Sequence, residues 1–412
     1  YLKGHWCFMT KRAYYENGTL ECEATVLRCR AVENGFEILT DVTSIFPESG
    51  GQLSDTGSIG NSRVTHAREE GSEVWHLCDK AVEAGAKVKI AADAGPRLDH
   101  TQQHSGEHIL SGMASKLFGA KNVGFHMAED YATIDLDTQL THEQIKELQR
   151  EANRAVQRNV PVTYETVQGE ELENITLRKQ AKGLKGDIRI VYFDGGEVDS
   201  CTCCGTHVAF SGEVGYIKIT AHIKYKGGTR IWFACGMRAV EDSLNNQDIV
   251  DSLAVRFSAK QEDVLNAVLR QGDELTAARH QLKERTEKLN EFIAAELLGK
   301  AEVIGATKLI IDMQKGSSMN ELKNLGDMLI RDENVLAMLF GENGDSLVYQ
   351  LARGRNVKTS MRELIKAVNA AAGGKGGGRD EYAQGSAKLT NATDAEGRRE
   401  SLRGYCRSML KA

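Results

Sequence analysis

Short runs that mix apolar and polar positions over residues 21–29 and 35–42, and again over 64–67, 73–78 and 87–91, read as strands. Turn residues separate these runs, notably Pro47–Gln52 and Asp55–Gly57. Short strands broken at regular intervals predict a small β-barrel. Past residue 97 the pattern changes. Ile109, Leu110, Met113, Leu117 and Phe118 form an apolar stripe that predicts a helix over 101–118. Further helices are expected over 142–158 and 170–180. Strands are expected over 130–136, 162–167, 188–193, 215–224 and 229–235. Mixed elements of this kind predict an α+β layer.

A long helix follows, with Ser258 and Gln261 as a capping box at its start. Val268, Leu275, Leu282 and Leu289 recur every seventh position, a single coiled-coil stripe. The companion positions Leu265, Gly272, Arg279, Thr286 and Ile293 are mixed. A hairpin with the helical stretch 240–255 therefore fits as well as a parallel dimer. The last part of the chain alternates again. Strands are expected over 303–311, 335–340 and 347–351, and capping boxes at Ser318/Glu321 and Ser360/Glu363 open helices. The whole reads as α+β in four parts: a β-barrel over 1–95, a metal-binding layer over 96–240, a helical linker over 241–300 and a C-terminal α/β domain over 301–412.

Composition narrows the class. The 412 residues are 41% hydrophobic and 27% charged, ordinary for a globular protein of about two to four domains. No apolar run is long enough to span a bilayer, and no secretory leader is apparent. Met9 reads as a start, which would make the first eight residues an extension. Nine cysteines, an odd number partly clustered, fit reduced thiols in a cytoplasmic protein.

The candidate chemistry lies in two short half-sites, His104-Ser-Gly-Glu-His108 and Cys203-Cys-Gly-Thr-His207. On a helix, residues four apart share a face, so His104 and His108 can reach one metal. Spacing alone leaves competitors. His100 is four residues before His104, and Cys201 forms a Cys-x-x-Cys pair with Cys204. A set of imidazoles and a thiolate suits tetrahedral Zn²⁺. Further on, Gly373-Gly-Lys-Gly-Gly-Gly-Arg379 lacks the Lys-Ser/Thr close of a Walker loop. It reads equally as a flexible loop or as a phosphate cradle bearing Lys375 and Arg379. From Arg353 onward there are 13 Lys/Arg against 6 Asp/Glu, in a chain of net charge −6. A basic tail on an acidic chain suits contact with a nucleic-acid backbone.

Several motifs occur together in one order: Phe46-Pro-Glu-Ser-Gly-Gly-Gln-Leu-Ser-Asp-Thr-Gly57, the run from His104 to Leu110, Val123-Gly-Phe-His126, Cys203-Cys-Gly-Thr-His-Val208 and Ser211-Gly-Glu-Val-Gly215. In this the chain resembles the editing half of alanyl-tRNA synthetase, as found in free-standing alanyl-tRNA editing proteins. The glycine run with Ala383-Gln-Gly-Ser386 resembles the C-terminal domain shared by alanyl-tRNA synthetases and the DHH phosphoesterase relatives. The resemblance covers nearly all of residues 10–412.

The resemblance implies His104, His108, Cys203 and His207 as ligands of Zn²⁺, with Cys204 where the family usually has glycine. It also implies hydrolysis in trans of serine or glycine esterified to alanine tRNA, without aminoacylation. The physical motive is plain: an alanine pocket neither excludes glycine by size nor strongly rejects serine, so errors are removed at a second site. Glu107 and the Phe125-His126 segment are the expected contacts to the substrate amino acid. Backbone N–H groups of Gly205 and Thr206 are candidates for the ester carbonyl. Four protein ligands favour a zinc that positions and polarises the substrate, and no general base is assigned. The C-terminal domain, through Lys375 and Arg379, is expected to grip tRNA, and it or the long helix to pair two chains. Two other readings stand beside this one: a non-catalytic zinc protein that binds tRNA, and an editing factor of threonyl-like specificity.

Overall fold

The computed structural model describes residues 9–16, 18–179, 186–388, 404 and 407–408. It is a mixed α+β chain in two compact units, residues 1–256 and 257–412. Among the described residues no helix is long and apolar enough to cross a membrane.

The first unit begins with β1 (Lys11–Arg12), β2 (Glu21–Val32), β3 (Gly35–Thr40), β4 (Val42–Thr43), β5 (Gly57–Ile59), β6 (Ser62–Glu70), β7 (Glu73–Cys78) and β8 (Lys87–Ala92). Six of these close a barrel in the order β2-β3-β7-β6-β5-β8, with β8 returning to pair with β2. Val26, Ile38, Ile59, Val64, Val74 and Ile90 fill it. Closure through the β8–β2 pair leaves the barrel without a free sheet edge.

Then come α1 (Ala94–Phe118), β9 (Asn122–Met127), β10 (Ala132–Leu136), α2 (His142–Gln157), β11 (Val162–Gln168), β12 (Asp187–Phe193), β13 (Asp199–Thr202), β14 (Ile217–Tyr225), β15 (Gly228–Cys235) and α3 (Met237–Phe257). Two antiparallel sheets form, β14-β15-β10-β9 and β11-β12-β13. One core joins them to both helices, with Ile109, Leu110, Leu148, Ile134, Phe193 and Phe233 at its centre. α1 starts seven residues earlier than its apolar stripe suggests. Pro96 falls in its first turn, where a missing N–H costs nothing, and Gly119 closes it at φ 64°. The helix is buried almost all round from Arg97 to Ala114, so its polar positions also face protein.

The expected helix over 170–180 does not form in its described part. Residues 172–174 make a single 3-10 turn. Beyond it the backbone runs beside β13 instead, with the Arg178 N–H donating to Ser200 O and the Thr202 N–H to Lys179 O.

The second unit holds α4 (Val264–Gly299), β16 (Glu302–Ile304), β17 (Thr307–Lys315), α5 (Met319–Leu329), β18 (Val335–Asn343), β19 (Ser346–Arg353), α6 (Met361–Ala372), β20 (Lys375–Gly378) and β21 (Tyr382–Lys388). The sheet order is β16-β17-β18-β19-β21-β20. β17 and β18 are parallel, joined through α5; the other pairings are antiparallel. Both faces are covered. Leu336, Met338 and Phe340 pack with α6, and Val335, Ala337 and Leu339 with α5. This explains the continuous apolar run of β18.

Three local expectations change here. The strand over 303–311 is a hairpin, β16 to β17, turning at Gly305 with φ 63°. The Ser258 cap is replaced by a 3-10 turn over Gln261–Asp263 before α4. The Ser318 box forms, whereas Ser360 Oγ donates to Asp380 rather than capping its helix.

Candidate metal centre

α1 places His104 and His108 one turn apart, their rings 5.2 Å centre to centre. β13 ends at Thr202, and the loop after it brings Cys203 and His207 to the same spot. The metal-ligating atoms of all four lie within 4.8 Å of one another. His104 Nε2 is 3.1 Å from Cys203 Sγ, and His108 Nε2 is 3.0 Å from His207 Nε2. Three imidazole nitrogens and a thiol sulfur thus converge in a buried place, a donor set able to hold a metal ion.

Cys203, His207 and His108 are perturbed in different directions. Burial alone would push the Cys203 thiol up, yet His104 and His207, with hydrogen bonds from His104 and His108, hold it well below the usual thiol range. Burial pushes His207 down to about 3, against the opposing pull of Cys203. Burial opposes protonation of His108, but Cys201 and Asp199 outweigh it and raise its pKa.

The packing around these four residues was not apparent from the sequence. His108 Nδ1 donates to Asp199 Oδ2 at 2.7 Å, which frees Nε2 to face inward. Asp199 is fully buried, and the Arg178 guanidinium grips both its oxygens. A carboxylate behind a ligating histidine fixes the ring's tautomer and orientation. Arg189 Nη1 donates to Cys203 O at 3.3 Å and to Gly205 O at 3.1 Å. Its guanidinium is held between the Tyr15 and Tyr164 rings, 4.5 and 4.0 Å from their centres. Gln52 exchanges two hydrogen bonds with Thr206, and Thr101 Oγ1 meets Thr206 Oγ1 at 2.7 Å. Gly205 lies flat against His104: a Cβ there would sit 2.4 Å from its ring.

A cavity of about 310 Å³ opens beside the cluster. Ser49 and Gly50 of the barrel line it, together with Glu107, Phe125, Arg178 and Arg189. Glu107 is buried and Phe125 half-buried, its ring edge-on to His104 at 5.4 Å. His126 is the next residue on a strand and so faces the other way; it is exposed, near Tyr131. The Thr206 N–H donates to Gln52 Oε1, and the Gly205 N–H to Cys203 Sγ at 3.4 Å. Both amides are therefore engaged within the protein. His100 lines a different cavity, with Asp99 and Arg238. Cys201 is buried behind the cluster, 3.6 Å from His108 Nδ1, and Cys204 is exposed. Lys375 and Arg379 belong to the second unit. Within the glycine run, Lys375–Gly378 form the edge strand β20, paired with β21, and Arg379 follows it; both residues are exposed.

Comparison with known proteins bears on this arrangement. The family model for the threonyl and alanyl tRNA synthetase second additional domain matches residues 188–231. That for the DHHA1 domain matches residues 305–400. The alanyl-tRNA editing protein AlaX-L of Pyrococcus horikoshii is 32% identical over 394 residues, spanning 92% of this chain and 94% of its own length. An alanyl-tRNA editing protein of Mus musculus is 26% identical, over 89% of this chain and 88% of its own. The alanine–tRNA ligase of Pyrococcus abyssi is 28% identical over 92% of this chain, which spans only 42% of the ligase.

Proposed function

Since the chain belongs to the alanyl-tRNA editing protein family, we propose that it hydrolyses mischarged alanine tRNA in trans, releasing serine, glycine or both. The observation that carries this reading is the convergence of His104, His108, Cys203 and His207 beside a cavity of about 310 Å³ that the first three of them line. The four residues would hold Zn²⁺, their mixed nitrogen and sulfur donors matching its preference. Bound there, zinc supplies positive charge that orients the ester and polarises its carbonyl.

The chain's own residues do the rest. Asp199 and Arg178 keep His108 in the tautomer that presents Nε2. Arg189 pins the loop that carries Cys203. Gln52 and Thr101 tie Thr206, next to His207, to the barrel and to α1. Glu107 and Phe125 line the space for the amino acid side chain. In the second unit, Lys375 on the edge strand β20 and Arg379 just after it are the tRNA contacts. The exposed Leu275, Leu282 and Leu289 of α4 offer a face for a second copy.

The test is deacylation of serine-charged alanine tRNA by the parent and by Cys203→Ala and His207→Ala. Loss of bound zinc and of hydrolysis together is expected. Full turnover in both variants would remove the reading, and deacylation of serine-charged threonine tRNA instead would favour threonyl-like specificity.

A further inference from the structure

We propose that Glu107 is the catalytic base that takes the proton from the attacking water. This rests on the hydrolase reading above and names the group it left open. Glu107 lies three residues after His104 on α1, hence on the metal-facing side of that helix. Its two carboxylate oxygens have different surroundings. Oε1 accepts from Ser111 Oγ at 2.7 Å and from Asn122 Nδ2 at 2.5 Å. The Asn122 amide is itself held, since its Oδ1 accepts the Gly124 N–H at 2.9 Å. One oxygen is therefore saturated and fixed from both α1 and β9. Among the described residues Oε2 has no hydrogen-bond partner, and it lies 3.9 Å from His108 Nε2, the ring nitrogen that faces the cluster.

With Oε1 spent on Ser111 and Asn122, Oε2 is the carboxylate oxygen left to accept from a molecule in the cavity. Glu107 is 7% exposed and lines the cavity. The competing groups are committed. Asp199 gives its oxygens to Arg178 and His108. Asp187 is exposed and accepts from Gln168. Cys203, His104, His108 and His207 form the donor cluster. If Glu107 only anchored β9, a single accepting oxygen would suffice and glutamine would serve as well. The order His-x-x-Glu-His also occurs in a class of zinc peptidases, which shows that one helix can carry both ligands and a reacting carboxylate.

In the reaction, a water oxygen bonds to the ester carbonyl carbon as its proton passes to Glu107 Oε2. The bond from that carbon to the ribose oxygen then breaks. The ribose oxygen takes the proton back from Glu107, giving free amino acid and uncharged tRNA. No other reactant is consumed.

Glu107→Gln keeps an acceptor for Ser111 and Asn122 but removes the base. Its kcat should fall by about 100-fold or more, with KM within about threefold of the parent. Zinc per chain and tRNA affinity should not change. Glu107→Asp, which withdraws the carboxylate by one methylene, should lose less; should the glutamine variant fail to fold, a kcat loss at constant KM in Glu107→Asp carries the proposal. Parent-like kcat in Glu107→Gln overturns it while leaving the hydrolase reading intact. So does a rise in KM alone, which marks a substrate contact, or a loss of zinc, which marks a role in the metal site. A parent protein inert toward every mischarged tRNA removes the hydrolase reading itself, and this proposal with it.

Discussion

At the scale of single residues, burial and partners decide which groups titrate, and His76 shows this away from the metal cluster. It is fully buried in the barrel, with Nε2 2.8 Å from Thr43 Oγ1 and Nδ1 3.0 Å from Ile38 O. Burial pushes its pKa down to about 4, against 6.5 in the unfolded chain. The unfolded state therefore binds a proton between these values while the folded state does not. Stability contributed by the neutral ring is complete above pH 6.5 and is lost as pH falls toward 4, by up to roughly 3 kcal/mol. Melting of the parent between pH 7 and 4 should show this slope, and His76→Gln should flatten it. An unchanged slope in the variant would place the acid sensitivity elsewhere. The convergence of the half-sites was legible at this scale because each is a local pattern, two donor side chains four residues apart. Asp199, Arg178, Arg189 and Tyr164 were not: they reach the cluster from scattered positions, and no periodicity marks a residue whose role is to hold another.

At the scale of elements, the metal site depends on how closely α1 approaches β13. Gly112 permits that approach: a Cβ there would lie 2.0 Å from Val198 O, a backbone atom with nowhere to move. Gly112→Ala should destabilise the first unit by about 1–3 kcal/mol, as overpacking does. It should also weaken zinc binding, because β13 begins with Asp199 and is followed by Cys203. Denaturant unfolding and a zinc competition titration on the same variant check both, and a parent-like midpoint with parent-like affinity would refute the coupling. Apolar periodicity made most of the helices and strands legible, since a stripe or an alternation forms wherever one face is buried. It failed over 170–179, where a single 3-10 turn gives way to backbone bonds that tie Arg178 and Lys179 to β13. It also understated α1, whose early turns bury polar residues such as Arg97 and His100 and so carry no apolar stripe. The glycine run misled in another way. Its lack of side chains suggests freedom, but pairing with β21 needs only backbone.

At the scale of the whole molecule, the two compact units divide the proposed work. The donor cluster and its cavity lie within residues 1–256, and the basic edge strand β20 lies within 257–412. An exposed edge strand is ordinarily a hazard, and charge upon it one remedy. Lys375 and Arg379 would supply that protection and, in the same positions, attract a phosphate backbone. If they contact phosphates, each contributes counterion release and nothing to the chemistry. The variant Lys375→Glu with Arg379→Glu should then bind alanine tRNA more weakly at every salt concentration. The slope of log affinity against log salt should shrink by about 0.7–0.9 for each phosphate no longer neutralised. Hydrolysis at saturating mischarged tRNA should keep the parent kcat, because no group in the first unit has changed. Binding titrations across a salt series, with single-turnover hydrolysis alongside, separate the outcomes. An unaltered slope would mean that these two cations serve only to guard the sheet edge. A fall in kcat at saturation would mean that the second unit does more than bind, and that the tRNA's grip there helps set the ester in the cavity of the first.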